Sequence, residues 1–179
     1  MRHTAMAILL IIAIVAGLAG ICYKKLNNQA ALAGVKVQLA DELAVATGGK
    51  IALGEIEIVS FNAVVLSDVK LSTASGLPVA AIPRITVTFD PLDLLLGHDP
   101  AGAVSRVTVT RPHFSLVRYE DGSWNISELW SQPLTRSSTF RGTVVFEEAV
   151  VEASLDGVRW VLPDINGQLD FKDNNTVGV

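Results

Sequence analysis

Ile82-Pro83-Arg84-Ile85-Thr86-Val87-Thr88-Phe89-Asp90-Pro91 is the stretch that decides the fold. Ile85, Val87 and Phe89 alternate with Thr86 and Thr88, a period of two that sets apolar side chains on one face of an extended strand and hydroxyls on the other. β-Branched and aromatic residues suit such a pleated, half-buried surface. Pro83 and Pro91 are expected to bracket this strand and to set where its pairing stops.

The same period runs outward in both directions. Upstream, Ile56 and Ile58 alternate with Glu55 and Glu57, and Val64 and Leu66 follow. Downstream, Val107 and Val109 alternate with Thr108 and Thr110. Phe114 and Leu116, Val144 and Phe146, then Val151, Ala153 and Leu155 continue the pattern, and Val158 and Trp160, then Leu169 and Phe171, complete it. Turn residues punctuate it at Ser75-Gly76, Asp121-Gly122, Asp156-Gly157 and Asn166-Gly167.

This gives about eight to ten short strands in meander-like succession, with one apolar and one polar face. So much apolar face exceeds what one short helix covers, so the sheet must close, curl or meet another apolar surface. The expected class is mainly β, a curled sheet of antiparallel type with short helical insertions. One insertion is Asp90 to Gly97, with Pro91 in the first turn and Gly97 at the end. A second helical turn is expected from Asn125 to Trp130, with Trp124, Ile126 and Leu129 as its apolar contacts. The sequence stops at Asn174-Asn175-Thr176-Val177-Gly178-Val179, just after a strand. From this, a final unpaired edge is expected, as in a fragment or the start of a longer sheet.

Ahead of the sheet, Ala5 to Tyr23 carries no charge and is long enough to cross a hydrocarbon core of ~30 Å. It reads as a membrane span. The competing readings are a cleaved signal peptide, with Gly17-Leu18-Ala19 as small residues near a cleavage site, and a lipoprotein signal. The second conflicts with Ile21 standing directly before Cys22. Arg2 faces Lys24 and Lys25 across the span, so the distribution of positive charge gives no orientation.

Between span and sheet, Leu32, Val35, Leu39 and Leu43 recur near helical spacing, and Gly48-Gly49 supplies a stop. This amphipathic helix is either a cap on the mouth of the sheet or a packed connector. The expected units are an anchor over 1–25, this helix over 26–48 and the sheet domain over 49–179.

Composition excludes several functions. The formal net charge is −4 and no basic cluster exceeds a pair, so nucleic acid is not an expected partner. The one cysteine, Cys22, excludes an intrachain disulfide and a CxxC metal site. His3, His98 and His113 form no HxH or HxxxH pair. No GxSxG, SxxK or phosphate-cradling glycine loop occurs. Glu147, Glu148, Glu152 and Asp170 alternate with or adjoin apolar residues, as on a solvated sheet face. Asn125-Ile126-Ser127 matches a glycosylation acceptor, a motif too short to carry weight. No enzyme, cofactor or metal is expected.

Several pieces in order carry a family likeness: Ile82 to Pro91 with its Phe89-Asp90-Pro91 ending, Leu94-Leu95-Leu96-Gly97, Val104 to Pro112, and Asp121-Gly122-Ser123-Trp124-Asn125-Ile126 with Leu129. With the anchor, the helix and the strand opening Gly49-Lys50-Ile51, they resemble the N-terminal region of AsmA-like proteins, and within that group the TamB family. Gly142 to Phe146 and Ile165-Asn166-Gly167-Gln168-Leu169 resemble the repeated strands of the same family. The residues themselves have structural reasons: Asp121-Gly122 makes a turn, and Trp124 is expected to pin it to the sheet.

The resemblance implies a single-pass protein of the bacterial inner membrane, its N-terminus cytoplasmic and its sheet domain in the periplasm. There the family's sheets curl into an open, taco-like apolar groove. It implies phospholipids as partners, carried between inner and outer membrane, and an Omp85-class barrel protein as a second partner in outer-membrane assembly. The expected groove positions are Ile56, Ile58, Val64, Leu66, Val87, Phe89, Val107, Val109, Phe114 and Leu116. The alternatives are an ordinary closed core at those positions, an assembly factor acting through a free strand edge, and a plain anchored binding domain.

Overall fold

The computed structural model describes residues 29–95, 100–129, 140–155, 157–171 and 177–178. The stretch read as a membrane span, with His3, Cys22, His98 and Trp130, lies outside the described residues. Among those described, no helix is long and apolar enough to cross a membrane. The fold is mainly β.

Helix α1 spans Gln29–Thr47. Leu39 and Leu43, one turn apart, are buried against the sheet, while Val37 and Val45 face outward. Its end is built from side chain and backbone together. The Thr47 hydroxyl donates to the Leu43 carbonyl at 2.8 Å and accepts from the Gly49 amide at 3.1 Å. Gly48 takes φ 70°, the left-handed conformation that ends helices at little cost in glycine. Gly49 then passes so close to the sheet that a Cβ there would sit 2.5 Å from the Ser72 carbonyl oxygen.

The strands are β1 (Lys50–Ala52), β2 (Ile56–Ser60), β3 (Ala63–Ser72), β4 (Pro78–Phe89), β5 (Val104–Thr110), β6 (His113–Val117), β7 (Thr143–Leu155), β8 (Val158–Phe171) and β9 (Val177–Gly178). Short helices α2 (Pro91–Leu95) and α3 (Pro100–Ala103) lie between β4 and β5, and α4 (Asn125–Glu128) follows β6. All nine strands form one sheet. β1 and β2 lie end to end along β3. β5 and β6 lie end to end between β4 and β7.

The sheet is mixed rather than of antiparallel type throughout. β7 runs parallel to both β5 and β6, and every other pairing is antiparallel. The cause is the connection. The chain from Arg118 to Gly142, including α4, returns to the end of the sheet where β5 began, and such a crossover delivers a parallel strand.

A crease crosses the sheet at the level of Pro83. Asp68, Arg111, Glu148 and Asp164 all have φ between 50° and 55°. Register places them together. Ser67 pairs Arg84 and Val69 pairs Ile82, so Asp68 faces Pro83. Arg84 pairs Thr110, and Thr110 pairs Glu147, which brings Arg111 and Glu148 to the same line. The Glu148 amide donates to Asn166 Oδ1 of β8 at 2.9 Å. The gap between β1 and β2 falls here as well: Gly54 donates to the Ser67 carbonyl at 3.0 Å.

Two expectations are corrected at this crease. Pro83 does not end a strand; it lies inside β4, and with no N–H to give it sits where Asp68 bulges away from the ladder. Asn166-Gly167 is not a hairpin turn but part of β8, where Gly167 pairs Phe146 and the Asn166 side chain serves the bulged Glu148.

The crease also shifts the side-chain alternation by one. In β4, Ala80 and Ile82 are buried before it and Ile85, Val87 and Phe89 after it. In β3 the buried set changes from Val64 and Leu66 to Val69 and Leu71. Without the shift, half of each long strand would turn its apolar residues to the opposite face.

Candidate functional site

The apolar face has a buried part, which includes β3 and β4 on both sides of the crease, and an open half beyond the crease over β6 to β8. Pairing carries it without a break on the first side of the crease, through Ile58, Val64, Val87, Val107, Val144 and Leu169 in one line and through Ile56, Leu66, Ile85, Val109 and Phe146 in the next. Beyond the crease it continues through Leu71, Ala80, Phe114, Val151 and Leu162, then through Leu116, Ala153 and Trp160.

The ten positions expected to line a groove therefore share one face. Val64, Leu66, Val87, Phe89, Val107 and Val109 are fully buried in a core with Leu39, Leu43, Leu129 and Phe140. Ile56 and Ile58 pack on its edge. Phe114 and Leu116 are half-buried and begin the open half.

Across that half, exposure rises from strand to strand. Ala80 in β4 is buried, Phe114 in β6 and Val151 in β7 are half-buried, and Leu162 in β8 is 59% exposed. Trp160 is 62% exposed and Val158 54%. This strip of leucine, valine and tryptophan offers apolar contact and one indole N–H, with no carboxylate or hydroxyl on the same face in those rows. It is an exposed apolar surface, and those rows carry no nucleophile or acid–base pair.

The reverse face of the same strands is mixed, with Val117, Val150 and Val161 beside His113, Ser115, Glu152 and Arg159. Arg159 holds Glu152 with two contacts of 2.6 Å, and His113 Nε2 lies 3.3 Å from Glu152 Oε2. The hydrogen bond from Arg159 keeps the Glu152 carboxyl below its ordinary range, and His113 adds to this. Among the described residues no histidine, cysteine and carboxylate group converges to hold a metal.

The turn after β6 fixes the edge of the open half. Asp121 Oδ1 accepts from the Ser123 amide at 2.9 Å and from its hydroxyl at 2.6 Å, which lowers the Asp121 pKa. Gly122 takes φ 83° between them. Trp124 is half-buried and pairs with Arg118. The fully buried residue of the turn is Asn125. Its Oδ1 accepts from the Val117 amide at 2.9 Å, and its Nδ2 donates to the carbonyls of Ser115 at 2.8 Å and Pro78 at 3.3 Å. One carboxamide thus ties β6 to the start of β4. Both its donors are used in the interior, which takes Asn125 out of reach as a glycan acceptor.

At the other end of β4, Asp90 Oδ1 accepts from the Leu92 amide at 2.8 Å, and Pro91 opens α2. Phe89, Asp90 and Pro91 thus form a strand end joined to a helix start.

Leu162 and Ile165, the latter 38% exposed, were absent from the expected groove positions. The signal for Leu162 was the run Val161-Leu162 ahead of Pro163, an apolar pair that breaks the alternation. No protein-family model matches the chain, and no curated protein is significantly similar to it.

Proposed function

We propose that this protein is a membrane-anchored lipid-binding conduit of the AsmA/TamB type, with the apolar stretch 5–23 as its inner-membrane anchor and the sheet domain in the periplasm. The observation that carries the reading is the continuous apolar face, capped over β2 to β5 and the start of β7 and, among the described residues, uncovered at Val158, Trp160 and Leu162 of β8. In this reading the sheet curls about the crease into an open groove. Acyl chains lie along Val151, Ala153, Trp160 and Leu162, each buried methylene contributing ~0.8 kcal/mol, and the headgroup stays in water. Anchor, location and lipid class come from the sequence pattern and the family resemblance. The described residues add the surface.

Photo-crosslinkers at Leu162 and Val87 test it in cells. Capture of phospholipid at Leu162 with none at Val87 is the expected result. An absence of lipid at both positions would refute it.

A second reading, an outer-membrane assembly factor that works through strand pairing, draws on the other property of β8. Its outer edge pairs only at Asp170 and Phe171, with β9, among the described residues. In that case crosslinks from the edge go to protein rather than to lipid.

A further inference from the structure

Along β6 the alternation that sets Phe114 and Leu116 on the apolar face reaches one step further, to Arg118. The chain is still extended there: the Arg118 amide donates to the Ser154 carbonyl at 3.0 Å, and Arg118 bridges Trp124. Val117 pairs Ser154, which sets Arg118 beside Leu155, and Leu155 pairs Val158 across the β7/β8 hairpin. The open half therefore ends in the row Arg118, Leu155 and Val158, next to the row Leu116, Ala153 and Trp160.

The charge at this end is uncompensated. Arg118 is exposed, its Nε donates to the Gly122 carbonyl at 3.5 Å, and among the described residues it has no carboxylate partner. Asp121 and Glu128 nearby are engaged elsewhere, with Ser123 and with the Tyr119 hydroxyl. Arg159, on the reverse face, differs: Glu152 holds and neutralises it.

An exposed apolar strip that ends in one uncompensated guanidinium matches an amphiphile with a negative head. From this we infer that the open half holds a lipid with an anionic headgroup, with Arg118 as the headgroup contact and the tail directed toward the crease. A guanidinium meets phosphate oxygens through paired N–H donors, while the tail covers Leu116, Trp160 and Leu162. From Arg118 back to Phe114 the strip runs about 13 Å, at ~3.3 Å per residue. The inference rests on the lipid-binding reading above and adds the charge of the headgroup and the direction of the tail.

The strip selects an acyl tail over an acidic peptide. A peptide laid across it would bury amides and carbonyls against rows whose one other polar group is the indole N–H of Trp160, leaving hydrogen bonds unmade. An acyl tail brings no such groups.

The test reconstitutes the full chain, with a photo-crosslinker at Leu162, into vesicles of equal parts phosphatidylglycerol and phosphatidylethanolamine, and identifies the adducts by mass spectrometry. The expected result is about two- to fivefold more phosphatidylglycerol than phosphatidylethanolamine among the adducts, in line with a solvent-exposed ion pair. Arg118→Gln should bring the two lipids to parity, Arg118→Lys should keep part of the excess, and Arg159→Gln should leave it unchanged. Adducts at parity without any substitution overturn the inference and leave the lipid reading intact. So does an excess that survives Arg118→Gln, or one that falls equally with Arg159→Gln. Adducts to protein in place of lipid, or no adduct at all, overturn the lipid reading itself and this inference with it.

Discussion

Leu66 and Leu162 lie on the same face of the same sheet, on opposite sides of the crease. One is 1% exposed and the other 59%. The sequence chemistry is the same, an alternating apolar residue on a strand, so residue type does not make the difference. Cover does: α1, Leu129 and Phe140 pack with β2 to β5 and the start of β7 into one core that includes Val69, Leu71, Val79 and Ile82 beyond the crease, and nothing among the described residues covers Trp160 or Leu162. A period-two pattern reports which face is apolar and is silent on whether that face is a core or a surface.

The largest effect that separates the halves is a cavity. Leu66→Ala should cost ~2–5 kcal/mol in denaturant unfolding, as for a buried leucine, and Leu162→Ala within ~0.5 kcal/mol. Equal losses would show that the open half is covered in solution and would break the comparison.

Asn125 tests the tie between β4 and β6. Asn125→Ala leaves the half-buried Val117 amide and Ser115 carbonyl without their partner, at about 1 kcal/mol. Since those strands border the open half, amide exchange should quicken at Val117 before it does at Val64.

The crease offers a smaller effect of opposite sign. At φ 52° Glu148 holds a conformation that glycine adopts without strain. Glu148→Gly should therefore be neutral or stabilising by up to ~1 kcal/mol, and Glu148→Val destabilising. Destabilisation by both would put the importance of Glu148 in its side chain instead of its backbone.

The smallest effect is electrostatic. Hydrogen bonding from Arg159 lowers the Glu152 pKa in the folded state. Its stabilising contribution is thus complete above the unfolded value of ~4.3 and is lost as pH falls through the lowered one. Glu152→Gln should flatten the acid side of the stability–pH curve slightly, because the pair is exposed to solvent.

The β class, the strand centres and the sharing of one face by the ten positions expected to line a groove were legible in the sequence, because alternation is local; that six of them are buried in a core was not. The crease was not. Pro83 and Asn166-Gly167 look like punctuation when read alone, and only the neighbours in register show that Asp68 and Glu148 bulge to accommodate them. The parallel pairing of β7 was hidden for a similar reason: nothing within Thr143 to Leu155 states which strand it meets. Asn125 read as a turn residue, since burial of a carboxamide is decided by partners ten and forty-seven residues away.

The parallel seam between β7 and the β5/β6 row has a kinetic consequence. On either side of it every pairing is between strands close in sequence, so β2 to β6 and the β7/β8 hairpin each close small loops and fold early. The seam itself joins residues such as Thr110 and Glu147, separated by 37 positions. Its closure is the slow step, and until it happens both borders of the seam stand open to any other extended chain.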